Sequence, residues 1–137
     1  MTRQHKLVLL VLLLVTTAGW AGVNPGGGFG LSGYGLTTYC RVPVPGLDFQ
    51  VRADGALRLV GKSHAVDAGK LHWLVESAAP AVLIVALGWS SGVRLPSDLA
   101  APPGMRIEAL PTGDALALYN TLKRRGVRVA IHVHSTC

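Results

Sequence analysis

Hydrophobic positions follow three regimes along this chain. They are continuous from Leu7 to Val15, "LVLLVLLLV", behind the basic tip "MTRQHK". They thin out in "VNPGGGFGLSGYG", where glycine is too dense for a helix or a packed core. From Leu36 onward they recur with the periods of strands and helices.

That third regime resolves into elements. "LTTYCRVPVPG", Leu36 to Gly46, is rich in β-branched residues but broken by Pro43 and Pro45, which predicts an edge strand running into a turn. "LDFQV" and "ALRLVG" alternate around Asp54-Gly55, a hairpin signal. Phe49 and Val51 are expected inward on one arm, with Leu57 and Leu59 on the other. "VDAGKLHWLVES" predicts a helix capped by Asp67, with Leu71, Leu74 and Val75 at helical spacing and Pro80 beyond its end. His72 should face outward there and Trp73 should pack. "AVLIVAL", Ala81 to Leu87, is apolar throughout, as a strand covered on both faces must be.

Further on, "SDLAAPPG" admits barely one helical turn before Pro102-Pro103 stops it. "MRIEAL" reads as a strand with Ile107 and Met105 inward. "PTGDALALYNTLKRRG" is the clearest helix: Thr112 at the cap, Asp114 in the first turn, Leu116, Tyr119 and Leu122 on one face, and Gly126 as the stop. "VRVAIHVH" closes the chain as a strand. This order predicts an α/β fold, a compact three-layer domain with crossovers onto a mixed central sheet.

The first two regimes set the organisation. Residues 1–23 read as a signal peptide or a membrane anchor. Gly19 and Ala21 suit a cleavage site ending at Ala21, whereas an apolar reach through Val23 approaches the shortest length that spans a bilayer. With Arg3 and Lys6 held inside, the domain lies on the far side of the membrane. Residues 24–35 are expected to be a glycine-rich linker, and residues 36–137 the domain, starting near Thr37.

At 137 residues the chain has room for one domain. The net charge of +6 includes a cluster at Lys123, Arg124, Arg125 and Arg128. Such a cluster suits acidic surfaces and equally offsets the C-terminal end of a helix. Without an aromatic-rich or recognition-helix motif beside it, no nucleic-acid partner is expected. Two cysteines, Cys40 and Cys137, cannot build a disulfide framework and are expected as free thiols.

Gly88-Trp89-Ser90-Ser91-Gly92 spells G-x-S-x-G, the nucleophile elbow of serine hydrolases. His132 or His134 and Asp98 or Asp114 follow in suitable order. The elbow needs a helix directly after it, however, and "VRLP" with Pro96 stands in that place. No catalytic residue is therefore assigned, and the chain is expected not to be an enzyme; a hydrolase using Ser90 is the remote alternative. The same loop lies at a strand's carboxyl end, where open α/β sheets hold ligands. Its N–H groups, with Gly88, Ser90, Ser91, Gly92 and Arg94, form the candidate small-anion site. His132 and His134 share a strand face, but Cys137 at the terminus is a weak third ligand. No metal or other cofactor is expected.

The closing segments, "YNTLKRRGVRVAIHVHSTC", resemble the end of the adipogenesis-associated Mth-type domain family, which a mitochondrial complex I assembly factor shares. "AVLIVALGWSSGVRLP" resembles that family's strand and glycine loop, and "LPTGDALALYN", with Tyr119-Asn120, its Thr-initiated helix. The resemblance covers Val66 to Cys137 well and Leu36 to Gly61 loosely. It implies a three-layer α/β fold with a mixed sheet, an assembly or regulatory module without established catalysis, and a protein partner. It also implies a cytoplasmic or mitochondrial location, whereas the leader implies membrane contact through residues 7–23 or export. The family's helix after Pro96 is cut short here by Pro102-Pro103, which leaves one flank of the sheet less covered.

Overall fold

A strand that is buried on both faces must sit in the middle of a sheet with layers above and below it. In a computed structural model describing residues 1–137, Val82–Ala86 is such a strand, buried at all five positions. Eight strands and three helices follow one another: α1 Arg3–Val23, β1 Phe29–Gly33, β2 Leu36–Tyr39, β3 Val42–Pro45, β4 Asp48–Val51, β5 Leu57–Val60, α2 Ala68–Glu76, β6 Val82–Ala86, β7 Arg106–Leu110, α3 Thr112–Arg124 and β8 Val129–Val133.

The central sheet runs β5-β4-β8-β6-β7. β8, β6 and β7 are parallel, and the β4–β5 hairpin pairs antiparallel to β8, so the sheet is mixed. Alternation divides its side chains between two layers. Phe49, Val51, Val82, Ile84, Val129, Ile131 and Val133 pack toward α3 with Ala115, Leu116, Tyr119 and Leu122. Leu83, Val85 and Ala130 pack toward α2 with Leu71, Leu74, Val66 and Val93. The α3 layer is completed by a second, antiparallel sheet, β1-β2-β3.

Phe29, on β1, is 3 % exposed and belongs to that core. Its ring lies 4.9 Å from Tyr39 and 5.0 Å edge-on from Tyr119. Residues 24–35 are therefore not simply a linker, and the folded domain begins well before Thr37. The cause is a long-range partner. Asn120 on α3 accepts the Phe29 N–H at 2.8 Å and donates to the Phe29 carbonyl at 2.7 Å. A side-chain amide thus supplies the pairing that a neighbouring strand would give.

Other expectations change in the same way. Leu36 to Gly46 forms a hairpin, β2–β3, rather than one strand, because Cys40 and Arg41 both take left-handed φ at its turn. Leu57 and Leu59 are exposed, since β5 is the sheet edge and nothing lies over its α3 side. The opposite side of β5 carries Arg58, which stacks at 4.6 Å on Trp73, with Arg52 at 4.8 Å. Thr112 does not cap α3; Pro111 occupies the cap and Thr112 opens the helix. No helix forms between Pro96 and Met105. The gap is an apolar groove between α2 and the sheet, lined in part by Leu71, Val75, Leu83, Leu99, Met105 and Ile107.

α1 has no buried residue. Its far end is nonetheless fastened to the domain: Trp20 Nε1 donates to the Arg41 carbonyl at 3.0 Å, and the Asn24 side chain accepts the Leu31 N–H at 2.7 Å. Arg41 Nε donates in turn to the Asn24 carbonyl at 3.0 Å.

Candidate functional site: the glycine loop and the C-terminal tail

The loop after β6 turns at Gly88, whose φ of +97° suits glycine. A Cβ there would also collide with the backbone oxygens of Cys137 and Thr136. The tail that follows β8 passes directly over the loop. Trp89 N–H donates to the Thr136 carbonyl at 3.1 Å, and Ser90 N–H (2.9 Å) and Gly92 N–H (3.2 Å) both donate to the Cys137 oxygen. Thr112 ties the two segments together: its hydroxyl accepts from Gly88 N–H at 3.0 Å and donates to the His134 carbonyl at 2.8 Å.

These contacts take up the backbone donors on which the small-anion reading of Gly88, Ser90, Ser91, Gly92 and Arg94 relies. The loop does gather N–H donors on one oxygen, but that oxygen belongs to the chain itself. The remaining donors are also engaged: Ser91 with Gly88, Val93 with Leu87 and Arg94 with His64, each through the carbonyl. Of the predicted ligands, only the side chains of Ser90, Ser91 and Arg94 remain exposed and free. Ser90 Oγ makes no hydrogen bond to an imidazole or a carboxylate, and no helix follows Gly92.

Under the tail lies a buried polar cluster. His134 Nδ1 and Asp48 Oδ2 are 2.6 Å apart, both side chains fully buried. Asp48 Oδ1 accepts Ser135 N–H at 3.1 Å. Gln50 Nε2 donates to the Lys70 carbonyl at 2.8 Å and lies 3.0 Å from His132 Nδ1, while its Oε1 accepts from Arg58 at 2.9 Å. The Nε2 atoms of His132 and His134 are buried without a partner. Burial, reinforced by Lys70, His134 and Arg58 and opposed by Asp48, pushes the His132 imidazole down to about 4. At neutral pH it is uncharged.

His64 caps this cluster at the surface, its ring 5.7 Å from that of His134. The Cys137 thiol lies 3.7 Å from His64 Nε2 and 3.8 Å from Nδ1. His132 and His134 do share a strand face, as the sequence predicts, but no three His, Cys, Asp or Glu residues are arranged to hold a metal ion. Both cysteines are free.

Sequence reasoning missed Asp48 and Gln50, whereas His64 was among the histidines expected to fold close to His132 and His134. Asp48 and Gln50 alternate with Phe49 and Val51, so the hairpin pattern assigned them to solvent. The usable signal was the match between two polar i, i+2 pairs, Asp48/Gln50 and His132/His134, on strands that pair with one another.

No family model and no curated protein matches the chain. Solved structures do. The structure of MT938 is 25% identical, covers 80% of this chain and 98% of its own, and superposes with a TM-score of 0.69. A conserved hypothetical protein from Pyrococcus horikoshii is 20% identical, with 80% and 98% covered and a TM-score of 0.62. A Bordetella pertussis protein, described as a Mth938-like domain, is 18% identical, with 80% and 85% covered and a TM-score of 0.56. The α/β domain that follows the apolar helix thus shares the fold of these Mth938-like structures, in agreement with the fold that the closing segments imply.

Proposed function

We propose that this chain is a membrane-tethered, non-catalytic binding module of the assembly or regulatory kind, holding a protein partner at a bilayer surface. One observation carries the reading. The nine side chains from Leu7 to Val15 are each 50–65 % exposed, while the end of the same helix is bonded to the domain. A 21-residue helix is roughly 30 Å long, the thickness of a bilayer's hydrocarbon core. Each Leu or Val moved out of water contributes about 2 kcal/mol. With Arg3 and Lys6 retained inside, the domain faces the opposite compartment. The non-catalytic part is supported by the loop, whose donors are spent on the tail and whose serine hydroxyl has no general base.

The test starts from cells producing the full chain. Membranes washed with alkaline carbonate should retain it with residues 1–21 intact, and cross-linking in those membranes should give one discrete adduct. Soluble protein beginning at Gly22 would overturn the tether. Turnover of acyl esters that disappears in Ser90→Ala would overturn the non-catalytic assignment.

A further inference from the structure

Where a helix leaves a bilayer, the next few residues sit among lipid headgroups. Here those residues are Pro25 to Gly28, and they lie over the C-terminal end of α3. Pro25, Gly27, Gly28, Asn120, Lys123 and Arg124 line an open surface cavity of about 270 Å³. A third cation stands beside it: the Arg41 ζ carbon is 3.7 Å from where a Cβ on Gly26 would be.

Three features separate this cavity from an ordinary solvated helix end. The first is unpaired charge. The acidic groups that make ion pairs are Asp54, Glu108 and Asp48, with Arg52, Arg106 and His134, so Lys123, Arg124 and Arg41 have no carboxylate partner. The second is a free donor. The Gly27 N–H, inside the turn that Pro25 and Gly28 close, donates to no acceptor in the chain, in contrast to the loop at Gly88–Gly92, where every donor is used. The third is depth. Trp20, one turn before the helix ends, is an aromatic of the kind that settles at the membrane–water interface, and its N–H is fixed to Arg41.

We propose that this cavity binds the phosphate headgroup of an anionic membrane lipid. Lys123 and Arg124 supply the charge, and the Gly27 amide supplies a directed hydrogen bond. Clustered cations attract anionic groups, and backbone N–H groups in a glycine turn suit phosphate oxygens. The assignment rests on residues 1–23 remaining in the membrane. The rival account is that Lys123 and Arg124 only offset the partial negative charge at the end of α3.

The full chain in dodecyl maltoside micelles would be melted with added phosphatidylglycerol, phosphatidylcholine or inorganic phosphate, at low and high salt. The expected result is a rise of several degrees with phosphatidylglycerol at low salt, lost at high salt and absent with phosphatidylcholine. Lys123→Gln with Arg124→Gln should remove most of that rise while leaving the lipid-free melting temperature unchanged. Arg94→Gln, an exposed cation outside the cavity, should keep it. An equal rise with phosphatidylcholine, a rise with inorganic phosphate alone, or a full rise in the double variant would overturn the headgroup site. Flotation with uncharged vesicles reports the tether separately. A chain that floats yet shows no rise with phosphatidylglycerol sinks the headgroup site alone, and a chain that does not float sinks the tether.

Discussion

Asn120 pairs with the backbone of Phe29 across 91 positions of sequence, accepting its N–H and donating to its carbonyl at 2.8 and 2.7 Å. The contact places the Phe29 ring against Tyr119, the residue before Asn120, so one step of α3 both anchors and buries β1. Asn120→Ala leaves a half-buried donor and acceptor unmet and should cost about 2 kcal/mol. Denaturant unfolding of the full chain in micelles gives the magnitude, and exchange of the Phe29 amide gives the location. Gly28→Ala approaches the contact from the other side, since its Cβ would stand 2.5 Å from Asn120 Oδ1. It should expose the same amide.

Gly88→Ala should release the tail. The left-handed φ alone costs about 1 kcal/mol or more for a residue with a Cβ, and the methyl would meet the Thr136 oxygen at 2.7 Å. Loss of amide protection at Trp89, Ser90 and Gly92, with a lower melting temperature, is the expected outcome. Unchanged protection at all three would mean that the tail contributes little to holding the loop.

How much of this was legible depended on the range of the determining contact. β6 and α3 declare themselves locally: the strand through five apolar positions in a row, the helix through Leu116, Tyr119 and Leu122 on one face. The Asp54-Gly55 hairpin was legible too, because glycine marks its turn. The β2–β3 hairpin was not, because Cys40 and Arg41 adopt left-handed φ without a glycine to signal it. β1 was hidden further, since Phe29 is a lone aromatic among glycines and its burial depends on Asn120. The site divided along the same line. The turn at the end of β6 was legible from its glycines, but the Cys137 oxygen that takes up its donors arrives from a segment 45 or more residues away. The polar side of β4 looked solvated because α2, which covers it, follows later in the chain.

His132 makes stability depend on pH. Its folded-state value of about 4 lies below the ordinary 6.5, held down by burial and by the positive charges of Lys70 and Arg58. A depressed imidazole binds protons more readily when unfolded, so its contribution is complete above about pH 6.5 and is lost as pH falls toward 4. The two values imply about 3 kcal/mol across that window. The negative charge of Asp48, paired with the neighbouring His134, works in the opposite sense and limits the loss. Unfolding by urea at pH 7.5, 6, 5 and 4 should show the decline, and His132→Leu should flatten most of it. A slope that persists in the variant would move the effect to other groups.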